Sequence, residues 1–173
     1  MNKAIFLDRD GTVNVDVDYL HECDKVQIIP GVIQALKTLK EKGYLLIVIS
    51  NQSGVGRGYF PVEDVDRVNQ YINLLLQQHQ IKIDDFYFCP HTESDHCECR
   101  KPAVGLYLQA AKDYCIDLHE SYMVGDKITD VLAAAELGCG FGIVFSGHDI
   151  EEEHKNTYRE YCYRDLLEFA QAI

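Results

Sequence analysis

Five short runs along the chain are almost unbroken in apolar character: Ala4–Asp8, Tyr44–Ser50, Phe86–Cys89, Tyr122–Asp126 and Phe141–Phe145. Strands buried on both faces read this way, because neither side of the pleat meets water. Between them, apolar residues recur at helical spacing. Val32, Leu36 and Leu39 follow the helix-opening Pro30–Gly31 and stop at Gly43. Val65, Val68, Ile72 and Leu75 form a second stripe, and Val104, Leu108, Ala111 and Cys115 a third. Ile128, Val131 and Ala135 form a fourth that ends at Gly138, and a last helix is predicted from about Arg164 to the end. Strand and helix alternate, which predicts an α/β fold: a doubly wound, mainly parallel sheet with helices on both faces. The 173 residues fit one domain, 1–173, with a core large enough to need no disulfides.

In such a sheet, ligands bind beyond the carboxyl ends of the strands. Asp8 and Asp10 follow the first strand, in a turn that Gly11 permits. Ser50 ends the second strand, Lys101 lies beyond the third, and Asp126 ends the fourth, with Lys127 beside it and Asp130 one helical turn on. Singly, each has an ordinary explanation: an Asp-rich turn, a polar loop, an acidic helix start. Together they put carboxylates of adjacent strands on one edge, a hard-oxygen site suited to Mg²⁺. A hydroxyl and an ammonium opposite suit a phosphate held against that metal.

The segment Cys89–Pro102 is the densest in chemistry. Cys89, His91, Cys97 and Cys99 are spaced C-x-H-x5-C-x-C, two short ligand pairs suited to a closed, tetrahedral and therefore structural Zn²⁺ site in a loop over 89–101. No C-x-x-C redox pair is present in it, and His96 is left spare. Arg100 and Lys101 leave directly from the last cysteine, so zinc is expected to aim them. Of the other cysteines, Cys115 and Cys139 read as small packing residues.

Charge narrows the partners. A formal net charge of −12 and no basic stripe argue against nucleic acid. No run approaches the ~18 apolar residues of a membrane span, and the N-terminal run reads as a strand rather than a signal peptide. Seven cysteines without a secretory signal point to a reducing, cytoplasmic setting. A monomer is expected.

The set resembles the haloacid-dehalogenase-like phosphatases, whose four motifs occur in order as DRDGT (Asp8–Thr12), Ser50, Lys101 and GDKITD (Gly125–Asp130). Within them it is most similar to the branch that acts on heptose 1,7-bisphosphate or histidinol phosphate, through FLDRDGTVNVD, NQSGVGRGYF, CPH…CECRKP and YMVGDKITD. The resemblance implies that Asp8 is a nucleophile forming an aspartyl-phosphate, and Asp10 the general acid and base. It implies Mg²⁺ on Asp8, Asp126 and the Asp10 carbonyl, with Ser50 and Lys101 stabilising the phosphoryl group. Asp16, Val17, Asp18, Tyr19, Asn51, Gln52, Ser53, Arg100 and Lys127 are the implied substrate contacts, with Arg57 a ligand for a second phosphate. The same four zinc ligands are implied. Neither gap between motifs has room for a cap domain. The substrate would be a sugar bisphosphate losing its C7 phosphate, with histidinol phosphate the alternative. A phospho-accepting receiver domain gathers similar groups, but has no counterpart of Asp10 and no zinc loop.

Overall fold

The computed structural model describes residues 1–145 and 152–173. Six strands form one parallel sheet: β1 (Lys3–Leu7), β2 (Tyr44–Asn51), β3 (Asp85–Cys89), β4 (Tyr122–Gly125), β5 (Gly140–Val144) and β6 (Cys162–Tyr163), in the order β3-β2-β1-β4-β5-β6. Around it lie α1 (Val32–Glu41), α2 (Ser53–Gly56), α3 (Val62–Gln77), α4 (Gly105–Asp113), α5 (Ile128–Leu137), α6 (Glu152–Thr157) and α7 (Leu166–Ala172). Residues 146–151, between β5 and α6, lie outside the described residues.

The strands serve two cores because alternate residues face opposite ways. Ile5 and Leu7 of β1 join Leu46 and Val48 of β2 in a layer against α1, α3 and α7. Ala4 and Phe6 join Ile47 and Ile49 against Tyr107 and Ala110 of α4 and Ala133 and Ala134 of α5. Both faces of the central strands are covered, which is why their sequences carry no polar alternation. At the carboxyl edge, Asp8 follows β1, Asp126 follows β4, and Ser50 pairs with Phe88 one residue before Asn51 meets Cys89.

Three details depart from the sequence reading. Helix α4 buries Tyr107 and Ala110, while Leu108 is exposed, so the third stripe is out of phase with the buried face. Cys115 lies past the end of that helix, exposed and with φ of +50°, and is not a packing residue; Cys139 is buried. In α5 Val131 faces the core but Ala135 is exposed, because Ala133 and Ala134 make the contact. Beyond the central runs the two-residue edge strand β6, paired with Ile143 and Val144, is too short to leave a periodic signal.

Candidate active site

Asp8 is the hub of the carboxyl edge. Its Oδ1 accepts hydrogen bonds from the Arg9 backbone N–H and the Lys101 ammonium, each at 2.9 Å. Burial alone would push the Asp8 carboxyl up, but the charges of Lys101 and Lys127 win and hold it down at about 2. Lys101 is itself buried: its ammonium also ion-pairs with Asp130 at 2.8 Å and donates to the Ile49 carbonyl at 2.8 Å. Burial opposes its charge, yet Asp130 and Asp8 raise it above the ordinary lysine range. Asn51 grips the Lys101 backbone from both sides, donating to its carbonyl at 3.1 Å and accepting from its N–H at 3.0 Å.

Asp10 is the partly exposed carboxylate, with donors on both of its oxygens. The Arg9 guanidinium reaches it at 3.0–3.2 Å, Asn14 at 2.9 Å and Gln52 at 2.9 Å. Arg9 is fully buried, and its other donors go to Asn69 on α3, the Leu20 carbonyl and Gln52. Gln52 also donates to the Ser50 hydroxyl at 3.2 Å. This underlayer leaves the outer side of Asp10 facing the cavity.

Asp126 presses against the turn that carries Asp10. Gly11 has φ of +86°, and a Cβ there would lie 2.1 Å from Asp126 Oδ2, so the turn needs glycine on both counts. Neither Asp126 oxygen receives a hydrogen bond, although both are buried. Burial, then the nearby Asp8 charge, pushes its carboxyl up to about 7. A carboxylate so placed calls for a cation. The Lys127 ammonium lies 3.4 Å from Asp8 Oδ2, 3.4 Å from Asp126 Oδ1 and 3.5 Å from the Asp10 carbonyl oxygen. These three oxygens are the ones implied as Mg²⁺ ligands, and they already converge on one positive charge. Asp8, Asp126 and Asp130 also present oxygens within 4.8 Å of one another, but Asp130 is committed to Lys101 and the Lys127 backbone N–H. Lys127 is 43% exposed, which leaves its side chain free to move aside for a metal.

The sign of the pH response follows from these carboxyls. Asp8, lowered from 3.8 to about 2, adds stability above pH 3.8 that is lost as pH falls through about 2. Asp126, raised from 3.8 to about 7, acts oppositely: its contribution is full below pH 3.8 and is lost as pH rises through about 7. Metal relieves the second effect only. Thermal unfolding is therefore expected to show a larger gain in Tm from Mg²⁺ over EDTA near pH 8 than near pH 5. Equal gains at both would show that Asp126 does not meet the ion.

The second cluster sits at the end of β3. Cys89, His91, Cys97 and Cys99 bring one ligand atom each within 4.8 Å of the others. The sulfur–sulfur separations are 3.1–3.6 Å and His91 Nδ1 is 3.2–3.4 Å from two sulfurs. A tetrahedral ion with ~2.3 Å metal–sulfur bonds sets its ligands about 3.8 Å apart, so a small tetrahedral metal fits with little adjustment. Burial opposes ionisation of Cys97, but the N–H groups of Cys99 and Arg100 help pull it down to about 6. Burial instead raises the neighbouring Cys89 and Cys99 thiols, and a metal would draw all three into the thiolate form that binds it. His96 is exposed and outside the cluster.

A cavity of about 540 Å³ opens over both centres, lined by Asp8, Asp10, Asn51, Ser53, Arg100, Lys101 and Lys127 among others. A smaller one of about 190 Å³ adjoins it, with Asp16, Asp18 and Tyr19 on its wall. The structure does not bring every candidate to these walls. Val17 packs into the core, Ser50 is buried, and Arg57 stands on Glu93 outside both linings, whereas Gln52, though mostly buried, reaches the wall of the smaller cavity. Arg9, Asn14 and Asn69 gave no signal in the sequence, because a buried arginine is recognisable only from its partners. Thr129 also lines the larger cavity and was not foreseen.

A parallel sheet with carboxylates at two adjacent strand ends and a buried lysine opposite suits chemistry on a phosphate held against a metal. A model of the haloacid dehalogenase-like hydrolases matches residues 2–138, and the chain belongs to that family. It is 46% identical over 143 residues to the D-glycero-β-D-manno-heptose-1,7-bisphosphate 7-phosphatase of Haemophilus ducreyi, covering 79% of each chain. The enzyme of the same description from Escherichia coli K12 is 40% identical over 179 residues, 98% of this chain and 93% of the relative. Among solved structures, D,D-heptose 1,7-bisphosphate phosphatase from B. bronchiseptica, complexed with magnesium and phosphate, superposes with a TM-score of 0.86 at 32% identity. That match covers 98% of this chain and 97% of the other. Membership of this family sets aside the receiver-domain alternative. Among the described residues, no helix is long and apolar enough to cross a membrane.

Proposed function

We propose that the chain is a Mg²⁺-dependent phosphatase that removes the C7 phosphate of D-glycero-β-D-manno-heptose 1,7-bisphosphate. The observation that carries the reaction type is the Asp8 carboxylate, held ionised between Lys101 and Lys127 on the floor of an open cavity. The substrate reading rests on relatives of that description that align with nearly the whole chain.

Asp8, Asp126 and the Asp10 carbonyl would hold Mg²⁺, which supplies positive charge against the phosphoryl oxygens. Asp8 attacks phosphorus, the ester P–O bond breaks, and Asp10 gives its proton to the departing C7 oxygen. Asp10 then takes a proton from the water that cleaves the aspartyl-phosphate. Its outward side is free for both transfers because Arg9, Asn14 and Gln52 hold it from behind. Lys101 and the Ser50 hydroxyl steady the transferring charge, a task of positioning and electrostatics. Asn51, Ser53, Arg100 and Lys127, with Asp16, Asp18 and Tyr19 in the smaller cavity, supply the walls that meet the sugar. Arg57 takes the second phosphate. Zn²⁺ on Cys89, His91, Cys97 and Cys99 is structural, since four protein ligands leave no open position. That none of the seven cysteines is in a disulfide suits a reducing compartment, and we place the enzyme in the cytoplasm as a single-domain monomer.

Phosphate release measured side by side on the heptose bisphosphate and on histidinol phosphate tests the substrate. The heptose compound is expected to lead by at least about a hundredfold in kcat/KM, a margin below the roughly 10⁴–10⁵ by which sites with unpaired polar groups reject a wrong substrate. A preference for histidinol phosphate would overturn the assignment.

A further inference from the structure

The rim of the larger cavity carries a charge arrangement that phosphoryl transfer at Asp8 does not use. Glu93 stands on a short 3₁₀ turn, Glu93–Asp95, between the zinc-type ligands His91 and Cys97. The turn is tied by Thr92, which donates to Asp95 Oδ2 from its N–H at 2.7 Å and from its hydroxyl at 2.9 Å. Glu93 Oε2 accepts from Arg57, just past α2, at 3.1 Å, and its Oε1 accepts from Arg100. One carboxylate thus spends both oxygens on two guanidiniums from different elements. Guanidinium forks grip phosphate oxygens in the same way. Glu93 and Arg100 line the cavity that holds Asp8 and Lys101, so this second anion position shares a chamber with the reacting one.

We propose that Glu93 is an internal anion seated in the subsite for the substrate's second phosphate, and that a bisphosphate displaces it from Arg57 and Arg100 on binding. This rests on the heptose bisphosphate reading above. The Glu93 side chain is 65% exposed, so its ion pairs are screened by water and weak enough to yield. A phosphate dianion brings more charge and a third oxygen, whereas a neutral sugar hydroxyl cannot compete. Glu93 thereby moderates how tightly ligands that carry a second phosphate bind, and leaves the binding of those without one unchanged.

The test compares heptose 1,7-bisphosphate with heptose 7-phosphate, which lacks only the second phosphate, in wild type and Glu93→Gln. The variant keeps the side chain's shape and removes its charge. The ratio of KM for the monophosphate to KM for the bisphosphate is expected to rise about two- to fivefold, the scale of surface ion pairs. Arg57→Gln should move that ratio the other way. A ratio that is unchanged or lower in Glu93→Gln, with wild type turning over the bisphosphate, overturns the inference alone and makes Glu93 a support for the arginines. Wild type that fails to hydrolyse the bisphosphate overturns the substrate reading and the inference with it.

Discussion

Asp8→Asn is expected to reduce phosphate release by at least about four orders of magnitude, the scale on which removal of a covalent nucleophile acts. The amide cannot form the phosphoryl intermediate, and no neighbouring carboxylate replaces it. Asp126 is buried behind Gly11, Asp130 is paired with Lys101, and Asp10 is held by Arg9 and Gln52 for proton transfer. The fold should survive. Asparagine keeps the shape and an oxygen for the Arg9 N–H and Lys101, while Lys101 retains Asp130 and the Ile49 carbonyl. The lowered pKa of Asp8 puts the stability lost at neutral pH at roughly 2 kcal/mol, against a typical margin of about 5–15 kcal/mol. Activity and thermal unfolding measured on the same preparation separate the two effects. A folded variant with wild-type turnover would remove Asp8 from the role of nucleophile.

What could be read from the chain, and what could not, divides along a physical line. The central strands were legible because both faces are buried, and unbroken apolar runs have few other uses. Asp8, Ser50 and Asp126 were legible as strand ends, since the fold type dictates where ligands meet a doubly wound sheet. The phase of α4 was not, because Leu108 and Tyr107 are adjacent and both apolar, and only the packing against Phe6 selects Tyr107. The underlayer of the site was hidden for a different reason. Arg9 meets Asn69 and Gln52, which lie 60 and 43 positions away, and a single charged residue does not announce partners so distant. That Gln52 bonds Asp10 and Arg9 as well as lining the smaller cavity follows from that network alone.

The second large effect concerns the metal loop, where Cys97→Ser is expected to abolish stoichiometric zinc. The segment between Cys89 and Lys101 buries no side chain of its own, so besides backbone bonds such as Gly56 N–H to the Pro90 carbonyl and Gly105 N–H to the Glu98 carbonyl, the ligand cluster holds it. A structural zinc contributes on the order of 10 kcal/mol to such a segment. The sequence alone suggests that its loss would release Lys101, since the lysine follows directly on Arg100 and the last cysteine. The structure gives Lys101 a second set of anchors: Asn51 on its backbone, Asp8 and Asp130 on its ammonium, and the carbonyl of Ile49. None of these passes through the metal. Among the described residues, Arg100 and Glu93 have no such independent hold, because the Arg100 side chain reaches the His91 carbonyl and Glu93 within the loop, and Glu93 reaches back to exposed Arg57. Zinc loss should therefore raise KM by about 10- to 100-fold, the range seen when groups supporting a site are removed, and lower kcat by less than about tenfold. Metal analysis with steady-state kinetics on the same protein reads this directly. A collapse of kcat at unchanged KM would return the lysine to the zinc's control, and full activity without zinc would make the loop dispensable to both.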